Sequence, residues 1–591
     1  MWSKSRAARS PLPSLLATLL VLTSCTHPPP PQSDSPQQSI WSGEAKPMVL
    51  SDPDDRSVEV GTEFTSGSDG VITAVRFHQG PEDVGATEAT IWSSYGTKLA
   101  TAPLPPGGSG WREVQLVSPV AVEADRSYVV SYRASRGHYS SDPDTFAGGR
   151  SVKNGWLTAV DGVFTDGDGF PEQSTDGRNY YVDVVFRPTG PSLRNVDGGD
   201  KFYDTFKSSF STSPDFFPLG VWAAQANSPD QIDSDRALGL NTYVLALEGS
   251  DLRLIKDSGM FALPDVPSPD SAGQLLTDEA DMWAGAGDAP WTGALGAGSD
   301  LGTRPCIPAD AECGYTVMLE LRKKVADDVL TYANYGKGVT FWMTREQAAR
   351  FVNEFQDVVS ADNYWFTDPN ICQAKEGGVI RHNGANDLSP PDCRIAANYG
   401  RTTRHVRALV QPLAAMPVWN FIELGHPFTE DESGTITPEQ LRAAVWSSIV
   451  NGARGIIYFA HNFGGPCVSY NLLRDPCGDG IRGQLTSVNE QIERLAPVLN
   501  APFVDGYARS DGPVDLAVKR HDDSNYVLVG ATQNEPFEAT FTLSCGDANS
   551  AEVIDENRTV PIVNQSFRDA FADGNAVHLY KIKNTGSCGP A

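Results

Sequence analysis

Short apolar runs recur between Phe216 and Asn500, and stretches of helical character separate them. This alternation is typical of repeated β/α units, in which helices cover a sheet of parallel strands. Eight runs in a segment of this length predict a (β/α)8 TIM barrel. A doubly wound open sheet is the alternative, but no glycine-rich phosphate loop follows the first run. The predicted strands are FFPLGVWAA, NTYVLAL, MFALPDV, GQLLTD, GVTFWM, DNYWFTD, PVWNFIELG and GIIYFAHNF.

A helix is predicted between the last two of these strands, where a β/α barrel requires one. Residues 437–440, TPEQ, form a capping box with a proline at the first helical position. Leu441, Ala444, Val445 and Ile449 then share one face, and the following Asn-Gly ends the helix.

The segments on either side of the barrel are rich in β-strand patterns. Residues 51–190 alternate apolar and polar side chains between Gly, Pro and Asp residues, which predicts a β-sandwich. Residues 200–500 contain the barrel, and residues 501–591 again alternate as a small β-sandwich does. The predicted fold is therefore multidomain: an N-terminal all-β sandwich, a central TIM barrel and a C-terminal small β-sandwich.

Three stretches of the first β-rich segment resemble the domain-of-unknown-function 4082 family. They are GVITAVRFHQG, RSYVVSYRASRGHYS and GFPEQSTDGRNYYVDVVF, and together they span nearly the whole segment. The resemblance implies an accessory domain of an exported enzyme, with carbohydrate binding as its expected role.

The N-terminus has the features of an export signal. Lys4, Arg6 and Arg9 precede the apolar stretch LPSLLATLLVL, which is too short to span a membrane permanently. The ending LTSC resembles a bacterial lipobox, which implies that residues 1–25 are a lipoprotein signal peptide and that Cys25 carries the lipid. Residues 26–50 would then be a Pro/Ser-rich tether. An ordinary secretory signal with a chance cysteine is the alternative.

The remaining cysteines support export to an oxidising compartment. Removing Cys25 from nine cysteines leaves eight, and these fall into pairs that are close in sequence. No CxxC motif or His/Cys cluster occurs, so neither a metal nor a cofactor is expected. The predicted disulfides are Cys306–Cys313, Cys372–Cys393, Cys467–Cys477 and Cys545–Cys588.

The charge of the chain argues against nucleic-acid binding. It carries 74 Asp and Glu against 46 Lys and Arg, a formal net charge of −28. Such a surface repels phosphate backbones. The expected partners are a carbohydrate and, through the lipid anchor, the membrane of a bacterial cell envelope on its extracytoplasmic side.

Carboxylates occur at the ends of two predicted strands. Asp278 and Glu279 follow the fourth strand, and Glu423 lies near the end of the seventh. The active site of a TIM barrel is built at the C-terminal ends of its strands. A lone acid in an apolar strand needs a reason, because burying an unpaired charge is costly. Two carboxylates are what hydrolysis of a glycosidic bond requires.

These motifs resemble clan A of the retaining glycoside hydrolases. LLTDEADMW is similar to an Asp-Glu-Pro form of the strand-four motif, with Ala280 in place of the proline. FFPLGVW, GLNTYVLAL and MFALPD are similar to uncharacterised members of the same superfamily. The resemblance implies that Glu279 is the catalytic acid/base and Glu423 the catalytic nucleophile.

Each catalytic assignment has a structural alternative. Glu279 could instead be an acid in the first turn of a helix, where the helix dipole favours it. Glu423 could form a structural ion pair with an arginine in the barrel. Asp278 and Asp281 are expected to support the site or to be solvated.

Further residues near the strand ends are candidates for binding the sugar, since its C–H faces stack on aromatic rings and its hydroxyls need polar partners. For the aromatic candidates the alternative is the buried core; for Asp368, placed at the end of the sixth strand, it is a helix cap. A lone histidine is more often structural. The substrate-binding candidates are Trp222, Trp283, Asp368, Asn420 and His461.

The sequence thus predicts an exported, lipid-anchored glycoside hydrolase that acts on a poly- or oligosaccharide by a retaining mechanism. The rival hypothesis is a surface lipoprotein that binds glycans without cleaving them, on a barrel that has lost its chemistry. The sequence identifies neither the sugar nor the linkage.

Lipidation of Cys25 makes a direct prediction. Replacing Cys25 with Ala removes the thiol that would receive the lipid, so the protein should leave the membrane fraction or fail to mature. Cell fractionation and immunoblotting measure this. Unchanged membrane association of Cys25→Ala would contradict the lipoprotein assignment.

Overall fold

The computed structural model of the chain describes residues 37–296, 304–378, 380, 386–430, 432–465 and 467–584. The predicted lipidation residue Cys25 lies outside these ranges, as does Cys588. In the part described, no helix has the length and apolar character needed to cross a membrane.

The N-terminal part is a sandwich of two antiparallel sheets, as the alternating pattern predicted. One sheet has the strand order β4-β3-β6-β1-β8-β7 and the other the order β5-β2-β9. Their facing side chains, among them Phe64, Ile72 and Val130, form one buried core. The strands are β1 Val58–Ser66, β2 Gly70–Gln79, β3 Ala86–Ser93, β4 Lys98–Pro103, β5 Gly110–Val122, β6 Ser127–Ala134, β7 Val152–Asn154, β8 Leu157–Asp166 and β9 Val182–Pro188.

The end of the predicted tether packs against this sandwich. Gln38 forms a bridge with Phe186 on β9. The backbone amides of Ile40 and Trp41 donate to the buried carboxylate of Asp183, and both side chains are buried. The described residues before Ser51 therefore belong to the folded domain, because two apolar side chains anchor a stretch that composition alone assigned to a linker.

The central part is a nearly closed barrel. Within the described residues, eight parallel strands form one sheet in the order β13-β12-β11-β18-β17-β16-β15-β14. The two ends of this sheet meet through hydrogen bonds from Ala272 N to Ala262 O and from Leu275 N to Pro264 O, both 2.9 Å. The predicted barrel is confirmed. Its strands are β11 Leu219–Trp222, β12 Thr242–Val244, β13 Phe261–Leu263, β14 Gln274–Asp278, β15 Thr331–Tyr335, β16 Val358–Ala361, β17 Val418–Glu423 and β18 Ile456–Phe459.

The fifth and sixth strands lie earlier in the chain than predicted. The stretch GVTFWM, predicted as the fifth strand, is a π-helical turn over Gly338–Trp342. The stretch DNYWFTD, predicted as the sixth, begins where β16 ends. The true strands TYANY and VVSA bury polar side chains in hydrogen bonds, such as that between Tyr332 and Ser360. The polar residues of TYANY hid it from a search for apolar runs, and VVSA is only four residues long.

Helices cover the outside of the barrel. The predicted capping box is present: Gln440 N donates to Thr437 Oγ1 at 3.2 Å, and Thr437 N donates to Gln440 Oε1 at 2.9 Å. It starts α8, the helix predicted between the last two strands. The helices are α1 Pro229–Ala237, α2 Leu252–Asp257, α3 Ala280–Trp283, α4 Gly314–Arg322, α5 Arg345–Glu354, α6 Pro390–Cys393, α7 Ala397–Leu409, α8 Pro438–Val450 and α9 Asp479–Leu499.

The C-terminal part is a second antiparallel sandwich, which includes a strand from before the barrel. Strand β10, Ser192–Arg194, pairs with β19 at the edge of the larger sheet, whose order is β10-β19-β21-β22-β27-β24-β25. The smaller sheet has the order β20-β23-β26. Their strands are β19 Phe503–Asp505, β20 Ala508–Ser510, β21 Val514–His521, β22 Ser524–Ala531, β23 Phe537–Leu543, β24 Ser550–Val553, β25 Arg558–Pro561, β26 Ser566–Phe571 and β27 Val577–Lys583.

Three of the four predicted disulfides are present. Cys306–Cys313, Cys372–Cys393 and Cys467–Cys477 have Cα–Cα distances of 5.5, 5.5 and 5.8 Å. They close loops that follow β14, β16 and β18, at the C-terminal end of the barrel. The fourth pairing, Cys545–Cys588, stays a prediction because Cys588 lies outside the described residues.

A partly buried ion network joins the three parts of the chain. The guanidinium of Arg407 on α7 contacts Asp197 at 2.5 Å and Asp125 of the N-terminal sandwich at 3.0 Å. Arg194 on β10 contacts the same Asp125 at 3.4 Å and Asp505 of the C-terminal sandwich at 2.7 Å. Each part of the chain thus supplies at least one charge to the network.

Breaking this network should be costly. Arg407→Ala leaves Asp197 without its guanidinium, and removing one partner of a buried ion pair costs about 3–5 kcal/mol. Urea denaturation should show this loss in the free energy of unfolding. Arg253→Ala, which removes an exposed pair with Asp257, is the matched control and should leave the midpoint unchanged. Equal effects of the two substitutions would contradict the structural role of the network.

Candidate active site

Packed apolar side chains fill the barrel interior, as they do in TIM barrels generally. Trp222 is one of these interior side chains. It is 5% exposed, and its ring packs edge-on against that of Phe421, with 5.1 Å between the ring centroids. The predicted contact of Trp222 with a sugar stays a prediction. Other members of the interior cluster are Val244, Leu263, Leu275, Tyr332, Val358, Trp419 and Ile457.

The backbone at the end of β14 turns sharply to place Glu279. The pairing register of β14 with β15 shifts between Leu275 and Asp278, so Asp278 lies opposite Asn334. Glu279 then adopts a left-handed conformation, with φ 48° and ψ 38°, and its amide donates to Asn334 O at 3.0 Å. For a residue with a Cβ, this conformation costs about 1–2 kcal/mol. Such strain clusters at functional sites.

A row of hydrogen bonds crosses the ends of three neighbouring strands. Asp278 Oδ1 accepts from Asn334 Nδ2 at 2.9 Å, and Asn334 Oδ1 accepts from Ser360 Oγ at 2.7 Å. The hydroxyl of Tyr332 contacts the same Ser360 at 2.5 Å. This row fixes the side chains of β14, β15 and β16 relative to one another.

The row brings a further carboxyl, Asp362, beside Glu279. Asp362 follows β16 directly, and it lies close enough to Glu279 and Asp278 for their charges to raise its pKa. Asp278, Glu279 and Asp362 each keep part of their surface exposed, although protein surrounds them on most sides. The sequence pattern missed Asp362 because the predicted sixth strand contained it. An acid that directly follows a strand was the available signal.

Burial and mutual repulsion raise the pKa values of this cluster. Burial, reinforced by the charge of Asp281, raises the pKa of Glu279 from its usual 4.5 to about 7. Burial, with the charge of Glu279, raises the pKa of Asp278 to about 7. Burial and the charges of its neighbours raise the pKa of Asp362 well above its usual range. Around neutral pH the cluster therefore holds protons that free carboxylates would have lost.

Asp281 is buried and binds the backbone that follows β15. Its carboxylate accepts the backbone amides of Gly336, at 3.1 Å, and Val339, at 2.8 Å, and so holds the π-helical turn after β15. Gly336 also leaves room for the side chain of Glu279. A Cβ at position 336 would lie 2.6 Å from Glu279 Oε1.

Glu423 lies at the end of β17, as predicted, and is completely buried. Trp419 and Phe421 on alternate positions of the strand face the barrel interior, and Glu423 continues this alternation. Its Oε1 accepts the Phe366 amide at 2.9 Å, and its Oε2 accepts the Tyr399 hydroxyl. Neither of these partners is an arginine, although the charge of Arg394 acts on Glu423 and lowers its pKa. Burial raises the pKa of Glu423 to about 7.

Tyr364 lies near both groups of carboxyls. Burial and the negative charges of Asp362, Glu279, Asp278 and Glu423 all raise the pKa of its hydroxyl well above the usual value. The hydroxyl therefore lies within electrostatic reach of all four acids. Sequence reasoning missed this residue because its aromatic run was taken for a strand.

Asp368 lies farther from the strand end than predicted. Strand β16 ends at Ala361, so Asp368 sits in the loop that follows, where it forms an ion pair with Lys337 at 2.7 Å. Glu376 contacts the same ammonium at 2.8 Å. Because Asp368 already has a cation, its predicted contact with a sugar hydroxyl would have to compete with Lys337.

The other predicted binding residues have protein partners. The indole N–H of Trp283 donates to Asp278 O at 2.8 Å, and the ring is half-buried. The amide of Asn420 faces the outer helices and donates to Ser448 Oγ at 2.9 Å, so we leave Asn420 out of the site. His461 contacts Ala223 O at 3.1 Å through Nε2, and burial lowers its pKa.

Exposed aromatic rings border this end of the barrel. Phe463 and Tyr470, in the loop after β18, are 37% and 77% exposed, with ring centroids 5.9 Å apart. The ring of His461 lies 5.4 Å from that of Phe463. Trp342, which follows β15, is 51% exposed. Such rings offer flat apolar surfaces on which a sugar can stack.

Residues 44–182 match a family described as "Domain of unknown function (DUF4082)", which confirms the resemblance of the N-terminal sandwich. A search of curated proteins finds no match.

Among solved structures, the chain is similar to a GH30 endoxylanase from Clostridium papyrosolvens C71, with 14% identity, a TM-score of 0.33 and coverage of 67% of this chain and 98% of the other. It is also similar to the maltogenic α-amylase AmyB from Thermotoga neapolitana, with 9% identity, a TM-score of 0.37 and coverage of 63% and 99%. A glycoside hydrolase family 5 protein from Bacteroides vulgatus has 11% identity, a TM-score of 0.36 and coverage of 63% and 90%. The assignment of the barrel rests on the strand pairing described above.

The raised pKa of Glu279 makes stability depend on pH. Between pH 4.5 and about 7 the folded protein binds more protons than the unfolded chain, so its free energy of unfolding falls as pH rises. Glu279→Gln removes this contribution. We expect it to stabilise the protein at pH 8 by on the order of 2 kcal/mol, with little effect at pH 5.

Urea denaturation at both pH values measures the difference. The same substitution at exposed Glu493 on α9 is the control and should leave the pH dependence unchanged. A Glu279→Gln protein no more stable than the wild type at pH 8 would contradict the strained, partly protonated state of Glu279.

Proposed function

We propose that this chain is a glycoside hydrolase whose chemistry takes place at the C-terminal end of the barrel. The observation that supports this most is Glu279, a partly exposed carboxyl at the C-terminal end of the barrel, with a pKa raised to about 7. A general acid works best when its pKa lies near the operating pH, because it can then both hold and release its proton. The exposed rings of Phe463, Tyr470 and Trp342 suit a glycan beside it.

In the proposed reaction Glu279 gives its proton to the glycosidic oxygen as that bond breaks, while Glu423 attacks the anomeric carbon. A covalent glycosyl-enzyme forms, and Glu279 then takes a proton from the water that hydrolyses it. This sequence retains the anomeric configuration and requires the two carboxyl groups to approach to about 5–5.5 Å. Hydrogen bonds from Tyr399 and the Phe366 amide favour the ionised form of Glu423, against the effect of its burial.

One observation favours a second candidate function. Glu423 has no exposed surface, so a sugar reaches it only when a group that covers it moves. A barrel that binds glycans at its rim without cleaving them needs no such movement. This rival is a non-catalytic, glycan-binding surface protein.

We further propose that the protein is exported and held in the bacterial cell envelope by a lipid on Cys25. The disulfides Cys306–Cys313, Cys372–Cys393 and Cys467–Cys477 support an oxidising location, where such bonds persist. In this arrangement the N-terminal sandwich serves as a carbohydrate-binding accessory domain.

The two candidate functions differ in a glycan screen. Purified protein is incubated with a broad panel of poly- and oligosaccharides, and reducing ends and product anomers are measured. Hydrolysis by the wild type that Glu423→Gln reduces at least about a thousandfold, with a retained product anomer, supports the proposed mechanism. Binding to a glycan without hydrolysis supports the rival, and an inverted product contradicts the role of Glu423 as nucleophile.

Leaving-group chemistry tests Glu279 separately. Once a sugar is identified, Glu279→Ala should slow cleavage of its phenyl glycoside about a hundredfold or more, because the phenoxide leaves only with a proton. The 2,4-dinitrophenyl glycoside needs little protonation, so its cleavage should change much less. Equal losses on both glycosides would remove Glu279 from the acid role.

A further inference from the structure

A strip of four aromatic rings runs from the end of β18 into the loop that follows it. The strip begins at Phe459, which ends β18 and pairs in register with Glu423 on β17. The ring centroid of Phe459 lies 5.0 Å from that of His461 and 6.3 Å from that of Phe463. The ring of Tyr470 lies 6.3 Å from His461 and 5.9 Å from Phe463. This aromatic strip therefore starts beside the candidate nucleophile and continues through the loop.

Exposure to solvent rises along the aromatic strip. Phe459 and His461 are half-buried, whereas Phe463 and Tyr470 are exposed. The rings of His461, Phe463 and Tyr470 meet in pairs at interplanar angles of 72°, 72° and 75°. Edge-to-face contact is a preferred arrangement of aromatic pairs. Each of the two exposed rings is therefore oriented by two neighbouring rings, while most of Tyr470 stays in contact with solvent.

The loop that carries the exposed rings is itself held in place. The backbones of Asn462 and Ser469 exchange two hydrogen bonds of 2.8 Å. The side chain of Asn462 accepts the amide of His426 in the loop after β17, and the disulfide Cys467–Cys477 closes the segment that contains the last ring. Single exposed apolar side chains are common and need no explanation. A connected set on a fixed loop is different, because a ligand that binds there loses little free energy to ordering the loop.

The aromatic strip fits a chain of sugars better than a single sugar. The C–H face of a pyranose stacks on an aromatic ring, and its hydroxyls stay in water. A glycan that lies along the strip also reaches the end of β17, because the strip begins at the register partner of Glu423. His461 and Phe463 lie between Phe459 and Tyr470 in the strip. The unit on Tyr470 is therefore a different unit from the one at Glu423.

We propose that Phe463 and Tyr470 form a sugar-binding subsite at the rim of the barrel, and that the substrate is a chain of sugars rather than a simple glycoside. This inference rests on the proposed function of the barrel as a glycoside hydrolase. Stacking on the two rings holds one unit of the chain while another unit of the same chain lies at the carboxyl groups. Neither ring takes part in bond breaking, so both act on the affinity for the chain.

Chain length distinguishes this role from a general effect on the enzyme. Tyr470→Ala should raise KM for a hexasaccharide of the cleaved glycan about tenfold and change kcat little, because a stacked ring contributes binding only. Cleavage of the aryl glycoside of one sugar should change much less, since that substrate does not extend to the rim. Tyr470→Phe keeps the ring and should restore most of the wild-type affinity.

Val468→Ala is the matched control, because it shortens another exposed apolar side chain of the same loop without removing a ring. Its KM should equal that of the wild type, and thermal unfolding confirms that each variant is folded. An unchanged KM for the hexasaccharide in both Tyr470→Ala and Phe463→Ala would overturn the subsite and leave the glycoside hydrolase function intact. Equal losses on the hexasaccharide and on the aryl glycoside would overturn it as well.

Binding without turnover separates this inference from the proposed function. Glu423→Gln protein is titrated calorimetrically with the hexasaccharides of the glucan, xylan, mannan and chitin series. At least one should bind, and adding Tyr470→Ala should raise its Kd about tenfold. That result, together with no cleavage by the wild type, would support the subsite and contradict the hydrolase function. Failure of all four hexasaccharides to bind, or an unchanged Kd in the double variant, would overturn the subsite.

Discussion

The candidate site depends on one row of hydrogen bonds, from Asp278 through Asn334 to Ser360. Three parallel strands end beside one another at this row, and two of them carry the carboxyls of Glu279 and Asp362. Without donors between them, carboxyls this close would repel and turn toward water. The amide of Asn334 can both donate and accept, so it satisfies an acid on one side and a hydroxyl on the other. The uncharged side chain of Asn334 therefore sets the positions of the acids around it.

The site is held at a cost in stability that the rest of the barrel offsets. Glu279 is in a left-handed conformation, and burial raises the pKa values of Asp278, Glu279 and Glu423 to about 7. Beneath these acids, packed rings such as Trp419 and Phe421 fill the interior. A strained backbone and buried carboxyls with raised pKa values, held on a well-packed scaffold, are typical of a functional site.

The sequence predicted the barrel, its flanking sandwiches and the helix α8, because these depend on apolar periodicity and on local capping chemistry. It placed Glu279 and Glu423 at strand ends because both acids interrupt apolar runs. It could not find β15 and β16, whose polar side chains are satisfied only by partners distant in sequence. Asp362 was hidden for the same reason, and the burial of Glu423 under Tyr399 depends on a helix whose position no local pattern gives.

The residues that bury Glu423 determine how a sugar could reach it. The backbone of the loop after β16 is anchored, because Trp365 is fully buried and its indole N–H donates to Thr402 at 2.9 Å. The disulfide Cys372–Cys393 closes the same loop farther along. Displacing the whole segment would break these contacts together, whereas turning one side chain would not.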